Sequence, residues 1–183
     1  QKLWGSQNLE KKHMETKSRH EVQVEAVQSL VTNRRSGVAV SMGVGKTLIG
    51  LRHLDTLAPA RVLVVAPKKS IFQSWTDEMA KHGLQYLEQY VTFSTYLSLS
   101  KQDLNYDVVY LDECHNLLPS HEPWLDRFKG TIVGLTGTPP KFERSTKGKL
   151  VNKFCPIKYS YFVDEAVSDG ILNDYKIVVH MLQ

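Results

Sequence analysis

The sequence predicts an α/β fold with a mainly parallel central sheet and helices on both faces. Three observations carry this expectation. Short runs rich in Val, Ile, Leu and Tyr alternate with stretches of helical apolar spacing. That is the pattern of strands buried on both faces and joined by right-handed crossovers. A glycine-rich string, Ser41-Met42-Gly43-Val44-Gly45-Lys46-Thr47, lies between the run ending at Val40 and a helical stretch. An acidic string, Asp112-Glu113-Cys114-His115, ends the run Val108-Val109-Tyr110-Leu111. In open sheets of this class, ligands bind beyond the carboxyl ends of strands, where both strings fall.

Taken in order, residues 1–18 are polar and basic around a lone Trp4 and read as an N-terminal arm. Residues 19–183 read as one lobe. Its first helix covers 21–31, with apolar side chains at Val22, Ala26, Val27, Leu30 and Val31. Strands are expected at 37–40, 61–66, 90–93, 107–111, 131–135 and 176–180, where β-branched and aromatic residues concentrate. Full or partial helices are expected at 48–57, 71–82, 96–100 and 123–128. The charged stretch 141–148 reads as a loop, and 162–170 as a helix ending at Gly170.

The 183 residues are 42% hydrophobic and 23% charged, which suits one globular domain with a sizeable core. No apolar run is long enough to span a bilayer and no signal segment opens the chain, so no membrane partner is expected. Two cysteines, Cys114 and Cys155, are too few for a disulfide framework or a zinc cluster. With Cys114 inside the acidic string, no cystine is expected there, and a reducing, intracellular, cytoplasmic setting follows. The net charge of +4, from 23 Lys+Arg against 19 Asp+Glu, permits an anionic partner without requiring one. The chain begins with Gln1, which reads as a fragment or a trimmed product.

Both strings are suited to nucleoside triphosphate chemistry. Small residues after a strand let backbone N–H groups approach phosphate oxygens, and the following helix adds a favourable dipole at its N-terminus. Val40 stands where the full phosphate-loop pattern has its first glycine. Asp112 and Glu113 supply two adjacent carboxylates at the same sheet edge.

The order of further strings resembles the first motor lobe of a superfamily 2 DExH-box helicase or translocase, of the remodeller-like or type III restriction-subunit-like branch. Residues 61–73 (RVLVVAPKKSIFQ) resemble motif Ia, 105–117 (NYDVVYLDECHNL) motif II, and 131–140 (TIVGLTGTPP) motif III. Upstream, 21–27 (EVQVEAV) resembles the adenine-reading Q motif, with His20 and Val22 where that motif has an arginine and an aromatic residue. Residues 164–176 resemble the segment that closes the lobe. The match spans most of the chain after about Arg19, and implies a RecA-like nucleotide-binding fold.

The resemblance implies ATP and Mg²⁺ as cofactors, with Gln23, Met42, Gly43, Val44, Gly45, Lys46, Thr47 and Leu48 around the nucleotide. Lys46 is placed to neutralise the outer phosphates. Thr47 and Asp112 would hold the metal, Asp112 through water, because Mg²⁺ dehydrates reluctantly. Glu113 would deprotonate the attacking water, its side chain pointing away from Asp112 if the backbone stays extended. His115 would link the γ-phosphate site to motif III. Thr136, Gly137 and Thr138 would couple nucleotide state onward, their hydroxyls bonding to the carboxylates of the acidic string. Nucleic acid would lie across Pro67, Lys68, Lys69, Ser94 and Thr95, held by its phosphates and not its bases. Lys141, Arg144, Lys147 and Lys149 form a basic stretch that is either a second contact or plain surface charge. DNA is the expected partner of an ATP-hydrolysing motor lobe, the alternatives being an RNA helicase lobe or a nucleotide-gated nucleic-acid-binding module without turnover. A second RecA-like lobe would close over ATP and supply an arginine.

Overall fold

The computed structural model describes residues 17–59, 61–138 and 145–162. Among them, helix α1 (Arg19–Val31) leads into β1 (Arg35–Val40), α2 (Lys46–Asp55), β2 (Val62–Ala66) and α3 (Ser70–Lys81). Then follow β3 (Val91–Thr95), β4 (Val108–Asp112), α4 (Glu122–Arg127), β5 (Thr131–Thr136), α5 (Thr146–Phe154) and β6 (Ile157–Tyr161). The six strands form one sheet in the order β3-β2-β4-β5-β1-β6, with every neighbouring pair parallel. All six carboxyl ends therefore share one edge.

Alternation along each strand explains the layering. Val62, Val64, Val108, Tyr110, Val133 and Leu135 face one core with α1, α2 and α3. Their neighbours Leu63, Val65, Val109, Leu111 and Ile132 face a second core, closed by Trp124, Leu125 and Phe128 and by Leu150, Val151 and Phe154. The expected helices on both faces are thus present. No helix among the described residues is long and apolar enough to cross a membrane.

The strand set differs from expectation at its far end. Residues 146–154 form α5, where the sequence reads as a charged loop up to residue 148. Ser145 caps it by accepting from the Gly148 N–H at 3.1 Å, and Leu150, Val151 and Phe154 bury one face, so Lys147 and Lys149 ride on a helix. Strand β6 follows at once and pairs with β1, beside the glycine-rich loop. Its mixed IKYSY composition hides an edge strand whose outward residues are polar. Residues 96–101 wind as a 3-10 helix. The strand expected at 176–180, the helix at 162–170, Lys141 and Arg144, and nearly all of the 1–18 arm lie outside the described residues.

One buried titratable group gives the core a pH response. His53 on α2 is 1% exposed, shares a 2.7 Å hydrogen bond with the Tyr110 hydroxyl, and is held by burial at a pKa of about 4. Between that value and the unfolded pKa of ~6.5 the unfolded chain binds a proton that the folded chain refuses, so stability falls as pH drops through this window. The expected contribution is about 3 kcal/mol at full effect. Urea titrations at pH 7 and pH 5 should show a smaller pH-dependent loss in His53→Gln than in the parent. An equal loss would assign the acid response to other groups.

Candidate nucleotide site

The glycine-rich loop, the acidic string and the motif III string meet at the carboxyl edge because β4, β5 and β1 are consecutive in the sheet. A cleft of about 880 Å³ opens there, bordered by the loop 41–48, α1 at Arg19, His20 and Gln23, the outer face of α3, and Glu113, Gly137 and Thr138.

The loop conformation depends on its glycines. Gly43 and Gly45 have φ values of 95° and 100°, where a side chain would be strained. A Cβ at Gly45 would also stand 3.0 Å from Gln23 Nε2. Helix α2 begins at Lys46, so the first-turn N–H groups of Lys46, Thr47 and Leu48 have no partner one turn back and face the cradle. Val44 is fully buried and anchors the loop, whereas Met42 projects at 86% exposure. Gln23 is buried, and its Nε2 donates to the Val44 carbonyl at 2.8 Å. The amide thus braces the loop from α1 while lining the cleft.

Lys46 reaches across to the acidic string. Its ammonium lies 3.1 Å from Asp112 Oδ1 and also pairs with Glu113. This convergence corrects the expectation that Glu113 points away from Asp112. Strand β4 ends at Asp112, and Glu113 adopts φ 52°, ψ 55°, which turns the chain into the 3-10 turn 114–116. Both carboxylates therefore face one cation. A non-glycine residue in this left-handed region is uncommon and costs about 1–3 kcal/mol, which the surrounding contacts offset.

Asp112 is held on three sides. The Trp75 indole N–H donates to its Oδ2 at 2.8 Å, and the Tyr96 hydroxyl donates to its backbone carbonyl at 2.7 Å. Oδ1 is buried and accepts no hydrogen bond among the described residues, and the Lys46 ammonium lies 3.1 Å from it. A buried carboxylate oxygen of this kind is suited to a cation or a cation's water. No group of three or more His, Cys, Asp or Glu that could hold a metal occurs among the described residues. Mg²⁺ keeps several waters and takes one or two protein oxygens plus phosphate, so one such oxygen is a chemically sufficient protein contact. Asp112 Oδ1 has the chemistry for such a contact, and Thr47 lines the cleft at the start of α2.

The link between the acidic string and motif III runs through His115. Its Nδ1 is 3.0 Å from Thr136 Oγ1 and 3.5 Å from Glu113 Oε2, and Thr136 Oγ1 also accepts the Thr138 N–H at 3.1 Å. The Thr136 hydroxyl therefore meets the histidine and not the carboxylates, a correction to the expected contact. The turn after Glu113 is the reason, because it brings the ring, and not an acid, over the end of β5. Burial, followed by the charges of Lys46 and Lys147, lowers the His115 pKa, so the ring is neutral at pH 7.

At the other end of the same edge, Ala66 of β2 and Thr95 of β3 are register partners. Lys68 and Lys69 are exposed just beyond Pro67. Ser94 is 4% exposed and its hydroxyl donates to the Thr95 carbonyl, so it is turned away from any ligand on that surface. Thr95 and the two lysines are the donors left there. Trp75 and Tyr96 are the residues that sequence reasoning missed. The apolar stripe Ile71, Trp75, Met79 signals that Trp75 points inward, but nothing in the pattern shows that its N–H ends on Asp112.

The described architecture has known counterparts. It is similar to the Sulfolobus solfataricus SWI2/SNF2 ATPase core solved with dsDNA (TM-score 0.53, 20% identity), covering 69% of this chain and 33% of that one. It is also similar to T4 UvsW (TM-score 0.61, 18% identity), over 75% of this chain and 33% of that one. The Pyrococcus furiosus Hef helicase domain matches at TM-score 0.53 and 16% identity, over 74% and 37% of the two chains. These likenesses identify the fold as that of RecA-like helicase domains. In sequence, the chain is 41% identical over 71 residues to the bifunctional helicase and thymine dioxygenase JBP2 of Leishmania braziliensis, covering 34% of this chain and 6% of that protein. The chain thus spans about a third of each solved relative and a small part of the curated one. A family profile described as type III restriction enzyme, res subunit, matches residues 16–141. On the strength of that match, with the loop and acidic string converging on Lys46, the chain belongs to the type III restriction enzyme res subunit family and is a helicase-family ATPase domain.

Proposed function

We propose that residues 19–183 form the first RecA-like lobe of an ATP-dependent DNA helicase or translocase, with residues 1–18 as an arm. The observation that carries this reading is the convergence of Asp112 and Glu113 on Lys46 at the mouth of the glycine-rich loop. In this reading the first-turn N–H groups of α2 and the Lys46 ammonium bind the outer phosphates of ATP. Thr47 and Asp112 would hold Mg²⁺, which when bound would neutralise charge on those phosphates. Glu113 takes the proton of the water that attacks the γ-phosphorus, yielding ADP and phosphate. His115 passes the state of Glu113 to Thr136 and so to Gly137 and Thr138. An arginine from a second lobe is expected to complete the site, since such a finger contributes ~10³- to 10⁵-fold in rate in phosphoryl transfer.

Nucleic acid is placed at Lys68, Lys69 and Thr95, held by its phosphates. DNA is favoured because a solved relative of the same fold is described in complex with dsDNA. ATPase assays of the full-length protein with single- and double-stranded DNA and RNA test this directly. Stimulation by DNA supports the reading, stimulation by RNA alone replaces DNA with RNA, and no stimulation by either rejects a nucleic-acid motor.

Lys68→Ala with Lys69→Ala should weaken binding about equally across sequences. It should also flatten the dependence of log K on log salt by about 1 per lysine. Fluorescence titrations across a salt series would show this. An unchanged slope would leave those lysines as solvated surface charge.

A further inference from the structure

We propose that Trp75 and Tyr96 are positioning residues that aim Asp112 and report to it the state of the adjoining surface. This rests on the placement of nucleic acid at Lys68, Lys69 and Thr95 given above. Trp75 is fully buried on α3, the helix that starts one residue after Lys69, and its N–H donates to Asp112 Oδ2 at 2.8 Å. Tyr96 immediately follows Thr95, is 6% exposed, and donates its hydroxyl to the Asp112 carbonyl at 2.7 Å. Both segments that leave the surface edge thus end on the same acidic residue, and β2, which carries Lys68 and Lys69 at its end, lies between β3 and β4.

The indole has little room to absorb a shift of α3. A Cβ at Gly50 of α2 would stand 3.0 Å from the ring, and the Tyr110 ring lies 5.7 Å away between centroids. Tyr96 is buttressed likewise, with its carbonyl 3.0 Å from His121 Nε2. Movement of either segment therefore acts on the hydrogen bonds to Asp112, which weaken steeply with distance and angle. With Oδ2 engaged by Trp75, only Oδ1 is presented toward the cation site. Loss of the indole N–H frees the carboxylate to rotate and spreads its charge over unproductive orientations.

The test uses the full-length protein and equilibrium binding of a fluorescent ATP analogue titrated with Mg²⁺, with and without a saturating DNA duplex. In the parent, DNA should shift the Mg²⁺ concentration for half-maximal nucleotide binding. Trp75→Phe should raise that midpoint by ~10-fold, the size of one lost hydrogen bond to a charged group. Trp75→Phe and Tyr96→Phe should both abolish the shift with DNA while leaving DNA affinity measured without nucleotide at the parental value. A purely structural role would lower the melting temperature but leave the midpoint and its DNA response unchanged, which overturns the proposal. Tyr96→Phe, which loses a single oxygen, decides the matter if Trp75→Phe does not fold. If the parent binds Mg²⁺ and nucleotide but no DNA, the surface reading fails and the relay with it. A raised midpoint in Trp75→Phe would then still support the aiming of Asp112, and an unchanged one would overturn that as well.

Discussion

Glu113→Gln should leave ATP binding close to the parental level and lower turnover by ~10²-fold or more, the usual size of general-base assistance. The structure gives the reason for the separation. Asp112 stays 3.1 Å from Lys46 and keeps its bond from Trp75, so the cation site and the phosphate cradle survive the change. What disappears is the one carboxylate in this cluster that the turn at φ 52° carries out to the cleft wall beside Lys46. An amide of the same shape accepts hydrogen bonds but takes no proton from water. Isothermal titration with ATP, set beside steady-state phosphate release, checks the claim. If affinity and turnover fell together, Glu113 would be a structural member of the cluster and the base would lie elsewhere.

The second large effect is expected from Lys46→Ala. Removing a charged donor to the outer phosphates costs about 1.5–3 kcal/mol, or ~10- to 10²-fold in affinity. Turnover should fall further, because charge growing on the phosphoryl group then lacks its cation. The loss should appear for ATP and ADP and be absent for AMP, whose single phosphate does not extend to the ammonium. The variant also leaves Asp112, which is 1% exposed, beside Glu113 without a counter-charge. Undiminished ATP affinity would reject the phosphate-loop assignment.

Much of the convergence of these strings is legible in the sequence because it depends on short, ordered motifs. A glycine-lysine-threonine after a strand places phosphate-binding N–H groups at a helix start whatever the rest of the fold does. An acidic pair after another buried strand falls at the same edge once the sheet is parallel. The apolar runs at 61–66, 107–111 and 131–135 likewise announce central strands, since only a sheet covered on both faces tolerates so continuous an apolar stretch. Strand β6 and helix α5 were missed for the converse reason. An edge strand shows one polar face, and a nine-residue helix with three lysines carries its apolar residues only at Leu150, Val151 and Phe154.

The sequence by itself determined the sheet class, the order of the site strings and the helicase-family ATPase character, because each is encoded within a few neighbouring residues. Three things were decided only by the tertiary structure. The left-handed turn at Glu113 swings its carboxylate toward Lys46, His115 and not an acid meets Thr136, and the buried Trp75 and Tyr96 grip Asp112 from two elements. Each joins residues 16 to 67 positions apart in sequence. Local periodicity carries no information about such contacts, because they arise when strands distant in the chain become neighbours in one sheet.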